Sequence, residues 1–170
     1  MTGLAVICRA EWPESTEDGP APPLPGFVYS TFSPLVAAVA DRCLARSHAS
    51  PPADPARGPR TATVLVSRYG DVTSAVLVAE AVDAGRRVAP LLFYQAVPNA
   101  VAGYLTARWG LTGPVVCVSP VGDAMTEGMA VAAGLIEDGD ADEALIVTVE
   151  QSLVDGGTDA ASAVLVAGAS

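Results

Sequence analysis

Few side chains in this sequence could do covalent chemistry, and most of them lie between residues 95 and 151. Cys117 sits in the run Pro-Val-Val-Cys-Val-Ser (114–119), and Asp123 and Glu127 stand four residues apart at the head of an apolar helical stretch. A thiol attacks an acyl carbon as its thiolate, and a helix N-terminus is a place where backbone dipoles lower a thiol's pKa. Two carboxylates one helical turn apart can share a site, although a solvated acidic first turn has the same spacing. Glu150 and Gln151 end a strand on the side where α/β sheets commonly bind ligands, yet strand-terminal carboxylates are common too. Cys117 alternates with Val116 and Val118 on what reads as a central strand, where a thiol is ordinarily an inert small hydrophobe. The candidate catalytic groups are therefore Cys117, Asp123 and Glu150, each with a structural alternative.

The remaining reactive types are less suggestive. His48 is the sole histidine and falls in a Pro-rich segment, where solvation is expected. Cys8, Cys43 and Cys117 are odd in number and widely spaced, which suggests neither zinc nor a disulfide framework and makes a reducing cytoplasm the simplest setting. Gly156-Gly157 lacks the strand–loop–helix context of a phosphate cradle. No cofactor or metal site is expected.

These groups must be held by regular elements that the pattern marks out. Residues 3–9 read as a first buried strand, and 11–26 as a Pro- and Gly-rich loop. Ser33 suits an N-cap and Pro34 a first helical position, opening a helix to Arg46 with Leu35, Val36, Val39, Ala40, Cys43 and Leu44 on its apolar stripe. A second Pro-rich loop, 47–60, is expected to be mobile. The unbroken apolar run 61–67 predicts a strand buried on both faces.

A helix follows over 71–87, with Val72, Ala75, Val76, Ala79, Val82 and Val88 expected to face inward. Pro98 opens the next helix and Gly110 ends it. Then come a strand at 114–119, a helix at 123–138, and strands at 143–150 and 161–167. The polar loop 151–159 permits antiparallel pairing of the last two strands without a helical crossover. The order β-α-β-α-α-β-α-β-β predicts an α/β domain spanning 1–170, without internal repeat and with helices on both faces of the sheet.

Composition bounds the function. The chain has 170 residues, 51% hydrophobic and only 5% aromatic, so its core must be built from Ala, Val and Leu. The net charge is −10, every basic residue is arginine, and none lies beyond Arg108. That balance argues against nucleic acid and against anionic membrane surfaces as partners. Solubility of an alanine-rich protein accounts for the acidity. There is no secretory signal pattern and no apolar run of membrane-spanning length, so a cytoplasmic location is expected.

The stretch 93–149 resembles the segment around the nucleophile of β-ketoacyl synthases. Pro90 and Phe93 precede a helix with Asn99, Ala102 and Gly103; Leu111-Thr112-Gly113-Pro114 resembles the family's Gly-Leu-x-Gly-Pro turn; residues 139–147 resemble the passage that follows its active-site helix. The resemblance implies an N-terminal half of the thiolase fold: a mixed five-stranded sheet with helices on both faces. It also places Gly122 where the family carries its cysteine, so the chain resembles the subgroup lacking that cysteine. By the same resemblance Gln95, Asn99 and Gly122 are candidate substrate-binding residues, with capping and turn hydrogen bonding as the alternative for Gln95 and Asn99. The family's catalytic histidines and lysine belong to a C-terminal half that this sequence does not include.

The implied function is that of a non-condensing, ketosynthase-like accessory protein of fatty-acid or polyketide type biosynthesis. It would act with itself, with a ketosynthase-type subunit, or with an acyl carrier protein that Arg42, Arg46, Arg86 and Arg87 could receive, scattered surface arginines being the simpler account of those four. Two alternatives stand beside it: a small acyl-thioester enzyme using Cys117 or a carboxylate, and a purely structural homodimer. Association is also suggested by residues 124–136, which are apolar around most of the helix and would face water if left uncovered.

Overall fold

The computed structural model describes residues 3–154 and 156–169; Met1, Thr2, Asp155 of the loop before the last strand, and Ser170 lie outside them. The chain runs β1 (Leu4–Trp12), α1 (Phe32–His48), a 3-10 turn (Gly58–Arg60), β2 (Thr61–Val66), α2 (Val72–Asp83), α3 (Pro90–Gln95) and α4 (Pro98–Trp109). It continues with β3 (Val115–Val118), α5 (Ala124–Glu137), β4 (Glu143–Glu150) and β5 (Ala160–Gly168). The five strands form one mixed sheet in the order β1-β5-β4-β2-β3. β2 pairs in parallel with β3 and β4, and β5 runs antiparallel to β4 and β1.

This is the α/β architecture expected, with helices on both faces. On one face α1 and α4 pack Val36, Val39, Leu44, Val101, Leu105 and Trp109 against Leu65, Leu145 and Leu165. On the other, α5 covers Val64, Val66, Ile146 and Val166. The helix comes this close because Gly128 has no side chain: a Cβ there would lie 2.7 Å from Ile146 Cγ2 and 3.1 Å from Val66 Cγ2. β2 is buried at every position, as its unbroken apolar run requires.

Several expectations are corrected by the sheet order. β1 and β3 are the two edge strands, so neither is a buried strand: Val6 and Ile7 are about two-fifths exposed, and Cys117 is exposed rather than central. β1 also runs on to Trp12, because Glu11 and Trp12 stay paired with Ser162 and Ala161. The N-cap of α1 falls at Thr31 rather than Ser33; Ser30 Oγ accepts from Ser33 N at 2.9 Å and does the capping. α2 stops at Asp83, since Gly85 takes φ 62° and the Gly85 and Arg86 amides fold back onto Val82 O and Ala81 O.

The inward face predicted for α2 is not the one observed. Ala75, Val76, Ala79 and Val82 are exposed, Val72 and Val88 are half-buried, and Ser74 and Ala81 are the buried positions. α2 packs beside α3 rather than on the sheet, and a helix this apolar offers more than one plausible stripe. The loop expected to be mobile between α1 and β2 is tied down: Arg57 makes a bidentate pair with Glu143 at 2.8 and 2.9 Å, and Ala53 N donates to Trp109 O at 2.8 Å. His48 is the last residue of α1, not a solvated loop residue. Its Nδ1 accepts from Asp54 N at 3.3 Å, and its ring stands 6.3 Å from Trp109. Among the described residues, no helix is long and apolar enough to cross a membrane.

Candidate functional site

Three parallel strands, β2, β3 and β4, deliver their C-terminal ends to one edge of the sheet, and the chain turns there from β3 into α5. Such an edge collects strand-end loops and a helix N-terminus, the usual ligand side of an open α/β sheet. Gly122 lies in this turn, one residue before the N-cap of α5.

The turn is built and braced by six side chains. Arg68, just past β2, donates from Nη1 to Val121 O at 3.2 Å and from Nη2 to Gly122 O at 2.9 Å. Its own backbone is held at both ends: Arg68 N donates to Glu150 Oε1 at 3.1 Å, and Ser119 Oγ donates to Arg68 O at 2.8 Å. Asp123 caps α5, its Oδ1 accepting from Thr126 N at 2.8 Å and Thr126 Oγ1 at 2.6 Å. Those two bonds, the side-chain one foremost, hold the Asp123 carboxyl below its ordinary range. Glu127, a turn further along α5, reaches back so that Oε1 accepts from both Val121 N, at 3.0 Å, and Gly122 N.

Glu127 therefore occupies the two amide donors that face out of the turn, while Arg68 occupies both carbonyls. A Cβ on Gly122 would stand 3.2 Å from Glu127 Oε1, so a side chain there would push that carboxylate back by a few tenths of an ångström. Gly122 itself offers no atom that can attack an acyl carbon. A cavity of about 300 Å³ opens beside the head of α5, between Ala124, Glu150 and Trp12. It shares Trp12 and Pro13 with a larger, mainly apolar cavity of about 730 Å³ walled by Leu24, Phe27 and Leu35.

The other sequence candidates fall elsewhere. Cys117 Sγ donates to Asn99 Oδ1 at 2.9 Å, joining β3 to α4. Partial burial of the sulfur raises the Cys117 thiol above its ordinary pKa. Gln95 is buried on α3, where Oε1 accepts from Tyr29 N at 3.0 Å and Nε2 has no partner among the described residues. Gln151 is buried as well, and Oε1 caps α2 through Val72 N at 2.6 Å. Glu150 braces Arg68, as described. Sequence reasoning missed Arg68, although an arginine directly after a buried strand was a usable signal. Among the described residues, no cluster of three or more His, Cys, Asp or Glu side chains could hold a metal ion.

The profile of the β-ketoacyl synthase N-terminal domain matches residues 30–158. The chain belongs to the β-ketoacyl synthase N-terminal domain family. No curated protein matches the sequence. Among solved structures, this β-ketoacyl synthase N-terminal domain is similar to the ketosynthase ApeO in complex with its chain length factor ApeC from Xenorhabdus doucetiae. The match has 19% identity, TM-score 0.74, and covers 99% of this chain and 80% of that one. A β-ketoacyl synthase from Burkholderia phymatum is similar at 13% identity and TM-score 0.76, over 99% of this chain and 60% of that one.

A type II polyketide synthase acyl-carrier protein in complex with its hexaketide-bound ketosynthase, AntDE:AntF, is similar at 13% identity and TM-score 0.72. That match covers 99% of this chain and 63% of the other. Thus the chain spans most of one relative, and less than two thirds of the other two. β1 and β5 lie outside the profile match, yet they complete the sheet that these structures share.

Proposed function

We propose that this ketosynthase N-terminal domain is a non-condensing subunit that serves fatty-acid or polyketide type assembly by association, without forming an acyl-enzyme of its own. The observation that carries the reading is the turn before α5. At the position that the family resemblance assigns to the nucleophile stands Gly122, and Glu127 closes the amide donors around it. A condensing enzyme needs a thiolate at such a helix N-terminus. Here the helix mouth is filled by the chain's own carboxylate.

The surface supports association. Val76 and Val82 on α2, Leu91, Phe93 and Tyr94 on α3, and nearby Val97 are each between about two-fifths and seven-tenths exposed. They border the α2–α3–α4 side of the fold, and the edge strand β3 adds an exposed Val115 and a backbone edge with no neighbour among the described strands. An apolar patch on the order of 500 Å² contributes roughly 10 kcal/mol when covered, before association costs. Of the apolar α5 residues that would face water if left uncovered, Ala130 is exposed, Ala132 is buried and the others are half-buried, so the α2–α3 face is the stronger candidate. Two of the similar structures are of a ketosynthase with its chain length factor and of a ketosynthase with its carrier protein. A ketosynthase-type subunit is the partner favoured here.

The carrier-protein idea rests on fewer arginines than expected. Arg42 is held by Asp18 at 2.8 and 2.9 Å and lies 4.1 Å over the Trp12 ring, and Arg46 pairs with Glu14 at 2.6 Å. Arg86 and Arg87 remain exposed after α2. Copurification with a ketosynthase-type subunit tests the proposal: a stoichiometric complex is expected, and separate elution at micromolar concentration would defeat it.

One observation favours the acyl-thioester enzyme as a second reading, namely that Cys117 is exposed. Incubation with an acyl-pantetheine thioester, read by intact mass, decides it. Stable acylation that disappears in Cys117→Ser would promote this reading, and an unchanged mass would retire it.

A further inference from the structure

Cys8 on β1 and Cys43 on α1 are 35 residues apart in sequence, and their sulfurs stand 3.7 Å from each other. Cys8 Sγ also donates to Cys43 O at 3.2 Å, and Cys43 Sγ lies 3.8 Å from Cys8 O, so the two thiols interlock across one helix–strand seam. Their surroundings differ. Cys43 is wholly buried, whereas Cys8 is partly open because β1 is an edge strand. Of the two residues only Cys8 has solvent access, and its sulfur lies against that of the buried Cys43.

We propose that Cys8 and Cys43 form an oxidative modification site, a dithiol that reacts with a small-molecule disulfide and closes to an internal Cys8–Cys43 bond. In the first step the Cys8 thiolate attacks one sulfur of the small disulfide RSSR. A mixed disulfide forms on Cys8 and RS⁻ leaves. In the second, the Cys43 sulfur gives its proton to solvent or to the released thiolate and attacks the Cys8 sulfur, expelling the second RS⁻. Two protein thiols lose two electrons in all, and RSSR becomes two RSH.

The sulfurs must close from 3.7 Å to about 2.05 Å, a movement of under about 2 Å. Burial, the largest cause, pushes the Cys43 thiol up to about 12, so alkaline pH speeds the second step. The bond would fasten the edge strand to α1 where Arg42 already donates to Glu11 O at 2.9 Å and Arg46 to Arg9 O. In a reducing compartment such a bond would be transient, the usual state of intracellular disulfides.

The test is incubation with oxidised glutathione at mildly alkaline pH, quenching with N-ethylmaleimide in denaturant, and intact-mass analysis with peptide mapping. The expected product carries the loss of about 2 Da for the internal bond and leaves Cys117 alone of the three cysteines able to take up glutathione or maleimide. It also yields a peptide pair joining Cys8 to Cys43, and melts roughly 5–15 °C higher until dithiothreitol is added. Cys8→Ser and Cys43→Ser each abolish the internal bond, while Cys117→Ser retains it. Three labelled thiols after prolonged exposure, a persistent glutathione adduct on Cys8, or cross-links through Cys117 would each overturn the proposal.

Discussion

Replacing Phe93 by aspartate should separate association from folding. Phe93 lies on α3 and is 70% exposed, so it contributes little to the core of the isolated chain. A phenylalanine presents roughly 200 Å² of surface, and seven-tenths of that is about 140 Å² available to a partner. At about 25 cal/mol per Å², covering it contributes roughly 3–4 kcal/mol, the range of an interface hot spot. Loss of that term weakens association by roughly two to three orders of magnitude, and burial of the new carboxylate adds to the loss. Sedimentation or light scattering over a concentration series measures the shift, and thermal melting is the control for folding. Phe93→Asp should move the complex to monomer while changing the monomer's stability by no more than about 0.5 kcal/mol. Unchanged association, or a melting temperature that collapses, would refute the assignment of this face.

Other consequences follow from named contacts. Gly128→Val should lower stability by about 1–3 kcal/mol, seen as a lower urea midpoint, because the new side chain meets Ile146 and Val66 at the α5–sheet contact. Glu127→Ala should release the Val121 and Gly122 amides and speed their hydrogen exchange, at a cost of about 1 kcal/mol. His48 has its pKa lowered, chiefly by burial and then by Arg57, so the unfolded chain takes up its proton first. The urea midpoint should therefore be flat above about pH 7 and fall as pH drops through the ordinary histidine range, and His48→Gln should flatten that fall. Asp18, held low by its Arg42 bonds, and Asp142, held low by Arg60, act at lower pH: their contribution is present above about pH 4 and lost below it, with Arg42→Gln reducing the acid limb.

How much was legible depended on whether an element's environment is local. β2 declares itself, because an unbroken run of Thr, Ala, Val and Leu has only one comfortable place, the middle of a covered sheet. α4 and α5 carry their boundaries in Pro98, Gly110 and Asp123. The position of β3 was not legible: Val115–Val118 reads as a buried strand, yet the crossover order leaves it at an edge, and Cys117 is exposed for that reason alone. The face of α2 failed for a related cause. Its valines and alanines fit more than one stripe, and its neighbour α3 is too short to show a period. At the site, Gly122 was placed at the strand-to-helix turn correctly, and Asp123 and Glu127 at the helix head. What spacing could not show is that Glu127 folds back over the turn, that Arg68 arrives from β2, or that Cys8 and Cys43 touch, since each pairing depends on which elements lie side by side.

The central claim, that this ketosynthase N-terminal domain works through a partner, is tested most directly by light scattering of the purified chain, alone and with a ketosynthase-type subunit. A mixed complex with that subunit is the predicted result. A soluble 17.1 kDa monomer at micromolar concentration that ignores the added subunit would contradict the account.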